Sequence, residues 1–202
     1  MRPRHRTGIT LGGGEHMGLV ARVVRWALST YFDLTGWTVE GEAPASRKFV
    51  IIAAPHTSNW DFVFFVGGAG RLKLNLSFMG KSSLFRWPFG GMMRDLGGVS
   101  VDRAASKDMV GAMVAEFARR DEFMLTIAPE GTRGRAGAWK TGFYHIAMGA
   151  KVPMVCGMMD YGRKVVSLGR AIMPTGDYEA DMAVLKTIYS NCTPKHPQGA
   201  TY

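Results

Sequence analysis

The chain has 202 residues, with 25 Lys and Arg against 16 Asp and Glu, a formal charge of +9 and a pI near 9.8. That length accommodates one domain with a sizeable core, and 47% apolar against 20% charged residues excludes wholesale disorder. Two cysteines, Cys156 and Cys192, cannot build a disulfide framework and match no zinc spacing, which points to a reducing compartment. The positive surplus points to an anionic partner: nucleic acid, an anionic membrane surface or a phosphorylated substrate. Fourteen Met and eleven Phe suit contact with flexible apolar matter such as acyl chains.

Residues 1–16 carry Arg2, Arg4 and Arg6 but no apolar run, so they read as a mobile basic tail and not as a signal peptide. Residues 17–37 read as a helix, with Leu19, Val20, Val23, Val24, Ala27, Leu28 and Tyr31 at helical spacing and Arg22 and Arg25 off that stripe. Arg22, Arg25 and Asp33 interrupt the segment too often for a membrane span. Two readings stay open for it. One is an interfacial helix on anionic lipid, with Trp26 and Tyr31 at headgroup depth; the other is a surface helix packing its stripe on the core.

The remainder, 38–202, reads as one domain. Lys48–Ala54 is a buried strand, followed by a polar turn at 55–61 and a helix. Leu76–Met79 is a second strand, 82–97 are helical turns broken at Pro88 and Gly90, and Gly98–Val101 is a third strand. Ser106–Arg120 is an amphipathic helix with Met109, Met113, Val114 and Phe117 on one face. Phe123–Ala128 is a buried strand ending at Pro129. A helix at Gly142–Gly149, strands at Pro153–Met159 and Lys164–Leu168, and a helix at Tyr178–Tyr189 complete the chain. Strands alternating with helices predict an α/β fold, a single domain with a mostly parallel sheet flanked by helices. Ligands of such sheets sit beyond the carboxyl ends of the strands, and two polar motifs stand at such ends.

Several familiar signatures are missing. Gly80-Lys81-Ser82 looks like the end of a phosphate-binding loop, but Asn75 stands where the earlier glycine is required. No G-x-S-x-G nucleophile elbow occurs, and the five histidines do not cluster as metal ligands. The basic residues, outside the tail, are scattered and not arranged as a nucleic-acid module.

His56 and Asp61 lie five positions apart at a strand–helix junction. A carboxylate on one imidazole nitrogen fixes the tautomer and leaves the other nitrogen as a base. Ser58-x-x-Asp61 also matches a capping box, with Asp in place of Glu, which explains Ser58 and Asp61 without chemistry but leaves His56 unexplained. Pro129–Arg133 is a second turn, in which Gly131 permits positive φ and Arg133 offers a fork suited to phosphate, or simply a solvated side chain. Arg103 and Lys140 stand near other predicted element ends, with the same two readings.

In order, these motifs resemble the glycerolipid acyltransferase family, the 1-acylglycerol-3-phosphate acyltransferases and their relatives. His56 and Asp61 match its His-x4-Asp block, Gly98 through Arg103 its Asp-Arg segment, Pro129–Arg133 its Pro-Glu-Gly-Thr-Arg block, and Val152–Val155 its Val-Pro-Ile-like segment. Ser100 and Gly134 depart from the residues common there.

The resemblance implies a general-base role for His56, oriented by Asp61, and transfer of an acyl group from a thioester to a lysophospholipid hydroxyl without an acyl-enzyme. It assigns headgroup or phosphate recognition to Glu130, Gly131, Thr132, Arg133 and Arg103, with Lys81 and Lys140 as further candidates. It implies no metal and no permanently bound cofactor. The co-substrate would be acyl-CoA or acyl carrier protein, the partners a membrane lipid and an anionic surface but no nucleic acid, and the location the cytoplasmic face of a membrane, held peripherally or monotopically. Two alternatives stay open: acylation of another lysolipid, such as a lyso-aminolipid, and a non-catalytic lipid-binding protein on the same fold.

Overall fold

The computed structural model describes residues 18–101, 109–131 and 138–200, so the basic tail lies outside the described residues. In chain order the helices and strands are α1 (Leu19–Leu34), β1 (Thr38–Glu40), β2 (Lys48–Ala53), α2 (Trp60–Arg71), β3 (Leu76–Lys81), α3 (Gly90–Asp95), β4 (Gly98–Val101), α4 (Met109–Arg119), β5 (Phe123–Ile127), α5 (Gly142–Ala150), β6 (Met154–Asp160), β7 (Val165–Ile172) and α6 (Tyr178–Tyr189). The seven strands form one sheet in the order β1-β7-β6-β2-β5-β3-β4. Every neighbouring pair is parallel except β6–β7, so the α/β expectation of a mostly parallel sheet is met. Only four residues join β6 to β7, too few for a parallel crossover, and this hairpin reverses the sheet's far edge. β1 was not expected from the sequence, because three half-exposed residues give no apolar pattern.

β2 and β5 are adjacent at the centre, and the interior of each is buried on both faces. Val50, Ile52, Leu125 and Ile127 point to one layer, where they meet Met113 and Phe117 of α4, Phe143 of α5 and Leu185 of α6. Phe49, Ile51 and Met124 point to the other, against α2. Continuous apolar runs such as FVII and FMLTI are what a two-faced central strand requires.

α2 is a poor helix in isolation, since Gly67, Gly68 and Gly70 each forfeit backbone entropy. Packing explains them. A Cβ on Gly67 would stand 2.8 Å from Phe32 Cβ and 3.1 Å from the Leu28 carbonyl, both fixed by the α1 backbone. A Cβ on Gly68 would meet Val166 of β7 at 2.9 Å. The glycines thus let α2 lie tightly between α1 and the sheet. Phe32, Trp37 and Phe64 fill the seam, with Trp37 and Phe64 stacked at 4.1 Å.

α1 packs only part of its apolar stripe on the core. Ala21 and Phe32 are buried, and Val24 and Leu28 are half-buried. Leu19, Val20, Val23, Trp26 and Leu34 remain exposed on the outer side, Trp26 at 70%. The predicted single stripe therefore divides: part packs on the core, and part makes an apolar outer face. Among the described residues no helix is long and apolar enough to cross a membrane.

Gly67→Ala is expected to lower unfolding free energy by about 1–3 kcal/mol in urea denaturation, because neither neighbour is free to move. Gly70→Ala is expected to be neutral or slightly stabilising, since the one close approach to its Cβ is the rotatable Ser29 hydroxyl at 2.5 Å, with Arg25 Nε and Ser29 Cβ at an ordinary 3.7 Å, and alanine favours the helix. Equal losses in the two variants would contradict this account.

Candidate active site

The chain leaves β2 at Ala53, crosses the polar turn and enters α2 at Trp60. Within that turn Ser58 Oγ accepts from the Trp60 N–H at 3.2 Å, while Asp61 Oδ2 accepts from the Ser58 and Thr57 N–H groups, both at 2.9 Å. Asp61 thus supplies its half of the expected capping box, but Ser58 Oγ bonds the Trp60 N–H instead of the Asp61 N–H, and the residue before α2, Asn59, makes no side-chain cap bond. The same Oδ2 lies 3.0 Å from His56 Nδ1. Capping and imidazole orientation are therefore one interaction, not rival explanations.

Asp61 is 1% exposed and the His56 side chain 21%. Burial pushes the Asp61 carboxyl pKa up, but hydrogen bonds from His56, Tyr161 and the Ser58 N–H outweigh it, and the value falls below the usual aspartate range. The anionic carboxylate makes Nδ1 a protonated, donating nitrogen of the ring. Among the described residues no protein group holds Nε2, so that nitrogen remains available as a base.

β5 delivers the second motif beside the first. Glu130 is buried, and its Oε2 accepts the His56 backbone N–H at 2.8 Å. The resemblance assigned Glu130 to the headgroup; its observed contact is with the backbone of His56. Gly131 has φ +67°, and a Cβ there would strike the Lys140 side chain at 2.8 Å. Lys140 is thereby seated on this loop, its N–H bonded to the Pro129 carbonyl at 2.8 Å.

Lys81 ends β3, three residues past the last β3–β5 pair, Phe78–Thr126, and Pro129 lies the same three residues past Thr126, just beyond the end of β5. It is exposed on the same carboxyl edge of the sheet. Arg103, Thr132 and Arg133 lie outside the described residues. Among the described residues no three of His, Cys, Asp and Glu gather as a metal site.

Three neighbours have no sequence signal. Tyr161, in the β6–β7 turn, donates its hydroxyl to Asp61 Oδ1 at 2.6 Å. Lys195 places Nζ 4.7 Å from the Trp60 ring centre, and the His196 N–H reaches Thr57 Oγ1 at 3.2 Å. The chain after α6 thus folds back onto the His56–Asp61 turn. An apolar cleft lined by Ile51, Ala53, Phe65, Ala69, Gly157 and Met159 lies between β2, β6 and α2.

With this geometry in hand, the family model described as Acyltransferase matches residues 36–159, more than half of the chain. The chain belongs to this acyltransferase family. Its structure is similar to the crystal structure of the 1-acyl-sn-glycerophosphate (LPA) acyltransferase PlsC from Thermotoga maritima, with TM-score 0.63 and 20% identity, covering 84% of this chain and 76% of that chain. At that identity the likeness is one of fold. No curated protein matches the chain by sequence. The family match spans His56, Asp61 and Glu130 and stops two residues short of Tyr161.

The lowered Asp61 value carries a stability consequence. An aspartate depressed in the folded state contributes stability fully above its unfolded value near ~3.9, and loses it as pH falls through the folded value. Asp61→Asn is expected to flatten that part of the dependence of unfolding free energy on pH below about 4, read by urea denaturation. Identical slopes for the two proteins would contradict the assignment.

Proposed function

We propose that this chain is an O-acyltransferase of phospholipid synthesis, moving a fatty acyl group from acyl-CoA or acyl carrier protein to the hydroxyl of a lysophospholipid such as 1-acylglycerol-3-phosphate. The observation that carries the reading is the His56–Asp61 pair, oriented at Nδ1 and uncommitted at Nε2, in a chain of the acyltransferase family. The fold neighbour from Thermotoga maritima is named for that acceptor class.

In this reading Nε2 takes the acceptor hydroxyl proton as the oxygen attacks the thioester carbonyl. The tetrahedral intermediate collapses with cleavage of the C–S bond, and the imidazolium returns its proton to the leaving sulfur. The products are an ester and a free thiol, and nothing is attached to the protein. Asp61 keeps the ring in its tautomer and stabilises the imidazolium, and Glu130 fixes the backbone beneath it. Lys81, Lys140, Gly131, Thr132, Arg133 and Arg103 are the headgroup side, where arginine's planar fork suits phosphate.

His56→Ala is expected to lower kcat/KM about 10²–10⁴-fold, the usual share of positioned acid–base help, while leaving binding to lysolipid vesicles unchanged. The assay pairs both thioester types with lysophosphatidate, other lysophospholipids and lyso-aminolipids. A lyso-aminolipid preference would replace the acceptor. Turnover equal in wild type and variant would remove His56 as the base, and no turnover with any pair would leave a lipid-binding protein.

The acceptor resides in a membrane, and we propose peripheral, monotopic attachment on the cytoplasmic face through α1. Its outer apolar face is flanked by Arg22 and Arg25, and each basic residue near an anionic surface contributes about 1 kcal/mol. Trp87, 92% exposed, and Phe89 project from the segment before α3, which α1 touches through the Gly18 N–H and Asp95. Tyr31 of α1 stacks on Trp60 at 6.0 Å, so the lipid-facing helix adjoins the base.

Because α1 also covers Phe64, substitutions test this better than deletion. The double change Val23→Glu, Trp26→Glu is expected to abolish flotation with anionic liposomes while the thermal midpoint stays near wild type. Unchanged flotation at low and high salt would exclude attachment through this helix.

A further inference from the structure

Tyr161 belongs to none of the motifs and lies beyond the family match, yet it touches the centre of the site. Asp61 Oδ2 accepts from three donors: His56 Nδ1 and the Thr57 and Ser58 N–H groups. Its other oxygen, Oδ1, accepts the Tyr161 hydroxyl at 2.6 Å, and no other hydrogen bond to Oδ1 occurs among the described residues. The tyrosine ring is held edge-on to Trp37 at 5.0 Å and to Phe64 at 5.8 Å. Its backbone N–H is bonded to the Thr193 carbonyl at 2.8 Å. A clamped ring presents its hydroxyl in one direction.

We infer that Tyr161 is a positioning residue for acyl transfer: its hydroxyl fixes the carboxylate plane of Asp61, and with it the His56 ring, and takes up part of the Asp61 charge. This rests on the acyltransferase reading of His56. A buried carboxylate with one oxygen unbonded carries a large desolvation penalty, so Oδ1 needs this donor. The charge effect follows from hydrogen-bond electrostatics. A donor on Oδ1 weakens the pull of the carboxylate on the imidazole proton, and so favours the neutral, proton-accepting ring.

The charged and titratable neighbours do not supply this effect. Lys195, from the chain after α6, places Nζ 5.8 Å from the Tyr161 ring centre. Glu130, after β5, is bonded to the His56 backbone, and Asp160 Oδ1 accepts from the Gly162 and Arg163 N–H groups of its own turn. Cys192 is buried, and its thiol is pushed up to about 12, so it is uncharged. Burial and the Asp61 carboxylate together push the Tyr161 phenol well above its usual value, so it remains a donor throughout the working range.

Tyr161→Phe keeps the ring packing and every neighbouring charge and removes the one donor. The expected result is a fall in kcat of about ten- to a hundredfold, the scale of a hydrogen bond to a charged group, with acceptor KM within about threefold. The acid limb of the kcat/KM profile should move to higher pH by roughly half a unit. A second readout needs no substrate: the pH dependence of His56 carbethoxylation by diethyl pyrocarbonate, followed on the His56 peptide by mass spectrometry, should move in the same direction. Tyr161→Leu, which also removes the ring, should add a loss of thermal stability that Tyr161→Phe does not share.

Unchanged kcat with an unchanged acid limb would overturn the inference. So would a loss of activity that merely follows a loss of folded protein. A wild-type chain with no acyl transfer would instead overturn the functional reading, and the modification profile would then decide whether Tyr161 governs the ring. An unmoved profile rejects that role as well.

Discussion

One carboxylate organises this molecule's working edge. Asp61 is buried and anionic, a state that costs several kcal/mol unless the charge is fully hydrogen-bonded. Its donors come from three places: two backbone N–H groups of its own turn, the His56 ring, and the Tyr161 hydroxyl from a hairpin a hundred residues on. The arrangement starts α2, closes the turn after β2 and sets the imidazole tautomer together. Closing a turn and orienting an imidazole are usually separate tasks. Here they share one oxygen atom.

The sheet order makes that sharing possible. β2 and β5 are neighbours, so the turn after one and the loop after the other emerge side by side, and Glu130 reaches the His56 backbone without a long side-chain excursion. β6 flanks β2 on its other side, and the hairpin that follows β6 brings Tyr161 against Asp61 from that direction. His56 and Asp61 are thus braced from both adjacent strands. α2, carrying Asp61 at its start, is held in place by glycine contacts with α1 and β7.

α1 connects this edge to the exterior. Its inner side buries Phe32 against α2, and its outer side leaves Leu19, Val20, Val23 and Trp26 exposed. Near its end, Tyr31 stacks on both Trp60 and Phe64, so an aromatic row leads from the apolar face to the residue beside Asp61. One stripe of apolar residues, read as a single face, thus serves two surfaces.

Local pattern by itself determined the strands at the centre of the sheet, the helix after Asp61, and the pairing of His56 with Asp61. These follow from contacts among residues close in sequence: apolar runs select buried strands, and five positions across a tight turn bring an imidazole to a carboxylate. Order of motifs identified the family. Only the tertiary structure decided what lies far apart in the chain: that Glu130 reaches the His56 backbone, that β7 turns back and β1 joins it, that α1 has two apolar faces, and that Tyr161 completes the Asp61 shell. Those are packing outcomes. They depend on which strands become neighbours, and no spacing along a single chain encodes a hydrogen bond between residues 61 and 161.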